Sequence, residues 1–333
     1  QTFGNVYSRL SNPTVAALEE RVAALEHGRA AVASASGMAA EALALTTLLQ
    51  AGDHVVAAGA LYGGSVTMLA VNLKKFGIET SFVDATDPDA FAAAIRPETR
   101  AIFAETLGNP SMVVLDIQAI ADVAHAHGLP LVVDNTVPSP FLCNPIRFGA
   151  DIVVHSATKY LAGHGTTLGG IVVESGRFAW DNGKFPGMTE PSPGYHGVRF
   201  YETFGNFGFT MRCRMEGLRV FGAALAPASA WQILQGVETL PLRMERHCAN
   251  ALAVARYLQD DPRVGWVNYP GLPSHPQHDL MNRQMRGGSG LLAFGVRPRN
   301  AAGGVNGGLD AGVKFIESAQ FMSHLVNIGD TRT

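Results

Sequence analysis

The chain has 333 residues, 47% of them hydrophobic, with a formal net charge of −3 and a pI near 6.4. That length suits one large domain plus a smaller one, and an acidic balance without a basic stripe excludes nucleic-acid binding as the main role. Three scattered cysteines (Cys143, Cys213, Cys248), no signal peptide and no membrane-length apolar run exclude a disulfide scaffold or a spanning protein, so a reducing compartment, the cytoplasm, is expected.

Residues 1–11 are polar and aromatic, with Tyr7-Ser8-Arg9 among them. Asn12-Pro13 reads as the cap and first position of a helix carrying Val15, Leu18, Val22 and Leu25, ended by Gly28. Ala30–Ala33 is a short strand candidate, and Ser36-Gly37-Met38 opens an apolar helix to about Gln50. A strand follows at His54–Ala58. The rhythm then repeats, with strands expected at 79–83, 100–104, 130–133 and 151–154. Helices are expected at 64–75, 88–96 and 116–127. This alternation predicts an α/β fold with a mostly parallel sheet flanked by helices. Leu168–Val173 follows its neighbour so closely that it is expected to run antiparallel.

Residues 174 to 208 are rich in Gly, Pro and aromatics and read as an excursion over the surface or an interface. Helices are expected over 209–259, broken near Pro227 and Pro241. Strand-like pieces at Val264–Tyr269 and Gly290–Val296 begin a smaller unit. Gly287-Gly288, Gly303-Gly304 and Gly307-Gly308 read as loops. Gln1 falls inside an apparent motif and Asp330–Thr333 closes no element, so further residues of a longer protein are expected at both ends.

The chemistry concentrates at two strand ends. Leu131–Val133 ends in Asp134, and Ile152–Val154 leads into Ser156, Thr158 and Lys159. Ligands of open α/β sheets sit beyond the carboxyl ends of strands. An amine for an aldehyde, a carboxylate for a ring nitrogen and donors for a phosphate match what pyridoxal phosphate requires. Lys159 reads as a Schiff-base lysine and Asp134 as the pyridinium partner. Gly37 and Met38 at a helix start, with Ser156 and Thr158, would cup the phosphate. Tyr62 could stack on a flat ring, and Tyr7 and Arg9 could reach a phosphate. Each has an ordinary alternative: a surface lysine, a turn aspartate, a small-residue turn, a core tyrosine. Ser156-x-x-Lys159 also matches an acyl-enzyme nucleophile. Its companion Ser-Asp-Asn and Lys-Thr-Gly tripeptides are absent, and Ser156 follows a strand rather than opening a helix. No metal site is expected; His275 and His278, in a Pro-rich loop, are the weak candidates.

Five stretches stand in order along the whole chain: Tyr7-Ser8-Arg9, Ser36-Gly37-Met38, Glu105–Pro110, Val133-Asp134-Asn135-Thr136 and Ser156-Ala157-Thr158-Lys159-Tyr160. Together they resemble the Cys/Met-metabolism pyridoxal-phosphate enzymes of fold type I, the aspartate-aminotransferase-like fold. Lys159–Thr166, the excursion with Gly183–Pro186 and Thr189–Pro191, and Leu240–His247 resemble most the members that replace the acetyl group of O-acetylhomoserine with sulfide. Cystathionine γ-synthases, methionine γ-lyases and enzymes using O-succinylhomoserine stay open as alternatives.

The resemblance implies Lys159, Asp134 and Tyr62 as the catalytic set. It implies Tyr7, Arg9, Gly37, Met38, Asn109, Thr136, Ser156 and Thr158 as further cofactor contacts, and Asn109 and Asn327 as substrate contacts. It implies a homo-oligomer, a dimer of dimers, with Tyr7 and Arg9 serving the neighbouring subunit. It divides the chain into an arm remnant (1–11), a cofactor-binding large domain (12–241) and an incomplete small domain (242–333). The arginine that grips the substrate carboxylate is expected beyond Thr333.

Overall fold

The computed structural model describes residues 4–298 and 307–331. Gln1, the expected Gly303-Gly304 loop and Thr333 lie outside the described residues.

The large sheet contains β1 (Ala30–Ser34), β2 (His54–Ala58), β3 (Glu79–Val83), β4 (Thr99–Glu105), β5 (Leu131–Asp134), β6 (Ile152–Ser156) and β7 (Gly170–Glu174). Their order is β1-β7-β6-β5-β4-β2-β3. From β3 to β6 every pairing is parallel, whereas β7 runs antiparallel to both β6 and β1. Every residue of β2 is buried, as are Ile152–His155 of β6. Helices on both faces account for this, and for the unbroken apolar runs where one-sided strands would alternate. The fold is the mixed, mostly parallel α/β sheet expected.

Helix α1 (Pro13–Leu25) begins where Asn12 Oδ1 accepts the amides of Thr14 at 3.0 Å and Val15 at 3.4 Å. Helix α2 (Gly37–Leu48) is capped by Ser36, whose Oγ accepts the Ala39 amide at 3.1 Å. The helix expected at 64–75 forms in three pitches: an α turn Gly63–Thr67, a π stretch Met68–Asn72 and a 3₁₀ turn Leu73–Phe76. Pro88–Ala94 and Ile117–Ala126 complete the expected set, the latter capped by Asp116.

Two expectations change and a third is sharpened. The 174–208 excursion is pinned to the core: Trp180, Phe185, Met188 and Phe200 are buried, and the Trp180 ring stacks on Phe209 with centroids 5.4 Å apart. Burying aromatic area outweighs the loop-like composition. The second helical break falls at Thr239, ahead of Pro241, which sits in the first turn of the helix Leu240–Asp260, where a missing N–H is harmless. Gly307-Gly308, expected as a loop, opens the helix Gly307–Glu317, because Leu309, Val313 and Ile316 recur at helical spacing.

β8 (Val264–Asn268) and β9 (Ala293–Val296) pair antiparallel in a second sheet. Ala251 and Ala255 of the helix Leu240–Asp260 pack there with Tyr269 and Leu272. No helix among the described residues is long and apolar enough to cross a membrane.

The start of α2 is held against the sheet by close backbone approach. A Cβ added at Gly170 would stand 1.9 Å from the Ser36 carbonyl oxygen. Gly170→Ala is therefore expected to lower stability by about 1–3 kcal/mol, the usual range for overpacking. Chemical denaturation checks this, and an unchanged midpoint would remove the close approach as a constraint.

Candidate active site

Three adjacent strands end at one edge. β4 ends in Glu105, β5 in Asp134 and β6 in Ser156; Glu105 is in register with Asp134, and Asp134 with Val154. Beyond these ends lies a cleft of about 230 Å³. Gly37, Met38, Tyr62, Asn109, Asp134, Thr136, Ser156, Thr158, Lys159 and Asn327 all line it. The crossover between β5 and β6 thus delivers acid and amine to the same edge.

Tyr7 and Arg9 are not in that lining. Arg9 donates from Nη1 to the Arg219 carbonyl, and its guanidinium carbon lies 5.1 Å from the Tyr7 ring centroid. The Tyr7 side chain is exposed.

Lys159 follows β6 in a tight turn. Its amide donates to the Ser156 carbonyl at 3.1 Å, and its own carbonyl accepts from Gly163 at 2.8 Å. Arg243, from the helix Leu240–Asp260, braces the turn by donating from Nη1 to the Tyr160 carbonyl at 2.7 Å. The Nζ donates to Asn327 Oδ1 at 2.7 Å, and Asn327 Nδ2 donates to Asp330 Oδ2 at 2.8 Å. Half-burial pulls the Lys159 pKa down from the usual lysine range, and the Asp330 carboxylate opposes that pull. The net direction favours a neutral, nucleophilic amine.

Asp134 Oδ1 accepts the Thr136 amide at 2.7 Å, while Thr136 Oγ1 accepts the Ser156 amide at 2.7 Å. Thr136 therefore ties the ends of β5 and β6 together. Burial pushes the Asp134 carboxyl up, and the Thr136 hydrogen bonds pull against it.

At the start of α2, a Cβ added at Gly37 would stand 2.5 Å from the Ser156 Cβ. Only glycine lets this helix start meet the end of β6. The first-turn amides of a helix have no intrahelical carbonyl to donate to, which makes this end a natural anion seat. Thr158 is set beside it by exchanging hydrogen bonds with Gly169: its Oγ1 accepts the amide at 3.1 Å and donates to the carbonyl at 3.2 Å.

Two acids of the cleft carry no role in the sequence reading. Glu105 fixes both Tyr62 and Asn109: its Oε1 accepts the Tyr62 amide at 2.5 Å and its Oε2 the Asn109 amide at 3.3 Å. Glu41 lines the cleft from α2. Its position four residues after Gly37 was the available signal, since residues at that spacing share a helix face.

A model of the Cys/Met metabolism PLP-dependent enzymes matches residues 1–333. The chain belongs to that family. It is 49% identical to the O-acetyl-L-homoserine sulfhydrylase of Leptospira meyeri, over 100% of this chain and 76% of that protein. It is 47% identical to the homocysteine synthase of Schizosaccharomyces pombe, over 100% of this chain and 76% of that protein. A Campylobacter jejuni crystal structure assigned as an O-acetylhomoserine (thiol)-lyase superposes with a TM-score of 0.94 at 38% identity, covering 100% of this chain and 81% of that one. It carries N'-pyridoxyl-lysine-5'-monophosphate. The fold is accordingly that of fold type I, and the cofactor of the family is pyridoxal phosphate.

The residues present fit that cofactor. The Gly37 approach opens a helix start beside Ser156, the donor chemistry a phosphate needs. The Asp134 carboxylate, the half-buried Lys159 amine and the Tyr62 ring face the same cleft.

Burial, reinforced by the charge of Asp134, pushes the Glu105 carboxyl up to about 8, against the pull of the Tyr62 and Asn109 amides. Unfolded, the same group ionises near 4.5. The raised value means Glu105 favours the folded state fully below pH 4.5, and this contribution is lost as pH rises towards 8. In unfolding scans from pH 4.5 to 8, the stability of wild type relative to Glu105→Gln is expected to fall steadily. A difference independent of pH would show that Glu105 is ionised throughout.

Proposed function

We propose that this chain catalyses γ-replacement on O-acetyl-L-homoserine, with sulfide displacing acetate to give L-homocysteine. The carrying observation is the convergence of Lys159, Asp134 and Tyr62 on one cleft, in a chain nearly half identical to relatives named for this chemistry.

When bound, pyridoxal phosphate supplies an electron sink that eases proton loss from the substrate carbons next to its amine. Lys159 would hold the cofactor through Nζ, and the same nitrogen would take up and return protons at the substrate carbons. Its half-burial and lowered pKa suit both tasks. Asp134 would accept the ring-nitrogen hydrogen and so keep that nitrogen charged. Thr136 holds this carboxylate in place through its amide. Gly37, Met38, Ser156 and Thr158 seat the phosphate. Tyr62 covers the ring, and Glu105 orients Tyr62 and Asn109 through their backbone amides.

Asn109 and Asn327 contact the substrate. Asn327 Oδ1 accepts from Nζ at 2.7 Å, which sets its amide beside the lysine. That arrangement gives no support to an acyl-enzyme serine, since Lys159 Nζ is directed to Asn327 while Ser156 packs on Gly37.

Tyr7 and Arg9, off the cleft of their own chain, serve the phosphate of a second copy. The working unit is then a dimer, and its assembly a dimer of dimers, in the cytoplasm. We place the division between large and small domains after residue 241, in the first turn of the helix Leu240–Asp260, with 12–241 carrying the cofactor.

The assay supplies O-acetylhomoserine with and without sulfide and measures homocysteine. Homocysteine is expected only with sulfide. Equal substrate loss without sulfide, yielding a keto acid and ammonia, would replace this reading with γ-elimination. Turnover with the succinyl ester alone would change the acyl group. Lys159→Ala is expected to lose roughly 10²–10⁴-fold or more of the rate, the range for a positioned acid–base group. A variant turning over at the wild-type rate would remove Lys159 from the mechanism.

A further inference from the structure

One side chain of the cleft has no part in the reaction as assigned. Glu41, 3% exposed, lines the cleft from α2, where its carboxyl interacts with Asp134. Its Oε1 accepts the Ser65 hydroxyl at 3.0 Å. Its Oε2 is buried with no hydrogen-bond partner among the described residues. Leaving a buried carboxylate oxygen without a donor is costly.

The groups that face Glu41 explain the orphan. They are the Ser65 hydroxyl and two acids, Asp134 and Glu105. Lys159 lines the same cleft, but its Nζ donates to Asn327. As two ionised carboxylates, Glu41 and Asp134 offer each other only acceptors. One proton on Glu41 Oε2 supplies the missing donor. Asp134 is the better place for the charge, because it already accepts the Thr136 amide at 2.7 Å and feels His155 nearby. Glu41 has a single hydroxyl donor.

We propose that Glu41 carries a proton and donates it from Oε2 to Asp134, as the positioning residue that keeps the Asp134 carboxylate ionised and aimed at the cofactor ring nitrogen. This rests on the cofactor assignment above and not on the identity of the substrate. Burial first, and the charge of Asp134 next, push the Glu41 carboxyl well above the usual range, which agrees with the geometry. Two carboxyls this close share one proton rather than ionise independently.

Two variants separate the role from simple packing. Glu41→Gln keeps a neutral donor in place, and Glu41→Leu removes it at similar volume. The infrared difference spectrum of the holoenzyme, wild type minus Glu41→Gln near neutral pH, is expected to show a protonated-carboxyl band. Ionised-carboxylate bands in its place would overturn the proposal. Pyridoxal phosphate titrated into apoenzyme is expected to bind the Gln variant within about threefold of wild type. The Leu variant is expected to bind at least roughly tenfold more weakly, the worth of a hydrogen bond to a charged group. That deficit is expected to grow as pH falls, because an unsupported Asp134 takes up a proton.

Equal affinity of wild type and the Leu variant would overturn the proposal. Should the Leu variant not fold, the infrared result decides alone. Neither readout requires homocysteine, so a wrong substrate leaves both standing. A wild-type apoenzyme that takes up no pyridoxal phosphate would overturn the cofactor assignment as well.

Discussion

The structure turns on acids held close together at the carboxyl edge of a parallel sheet. Glu105 and Asp134 end neighbouring strands in register, and Glu41 faces them from α2. Burial raises all three, and each is tolerated because something specific meets it: two backbone amides for Glu105, the Thr136 amide for Asp134, the Ser65 hydroxyl for Glu41. Like charges at such range do not all ionise, so the edge stores protons as well as negative charge. Such an edge suits a cationic group, as the role proposed for Asp134 requires.

The edge exists only because α2 comes unusually close to the sheet. Gly37 against Ser156 and Gly170 against Ser36 leave no room for a Cβ. These contacts bring a helix start to the end of β6, so the anion seat and the lysine turn share one wall. From the other side, Arg243 and the 327–330 segment brace the turn. A Cβ added at Gly329 would stand 2.7 Å from the Tyr160 amide nitrogen, so this segment also meets Lys159–Tyr160 at backbone distance. Lys159 is thus held by its own strand end and by the distant Arg243 and Asn327.

Much of this was legible in order along the chain. Asn12 and Asp116 are caps because a short polar side chain before an apolar run can accept helix amides, and both do. The place of Asp134 and Lys159 was legible because the carboxyl end of a buried parallel strand, and the turn just after it, face the ligand edge. The excursion was misread because its Gly and Pro content suggests a surface loop, while Trp180, Phe185 and Phe200 find a core that only distant segments provide. Gly307-Gly308 was misread as a loop because local punctuation was weighed above the apolar spacing that follows it.

The sequence by itself determined the α/β rhythm, the strand ends that carry acid and amine, and the family to which they point. Those depend on residues near each other in the chain: periodicity, caps and the residue that ends each strand. The tertiary structure alone decided which groups share a wall. Glu41 and Asp134 lie 93 positions apart, Lys159 and Asn327 lie 168 apart, and no local pattern links either pair. It also decided that Tyr7 and Arg9 stand away from the cleft of their own chain. Strand order and helix approach, which bring distant residues together, are set by how the whole sheet is buried.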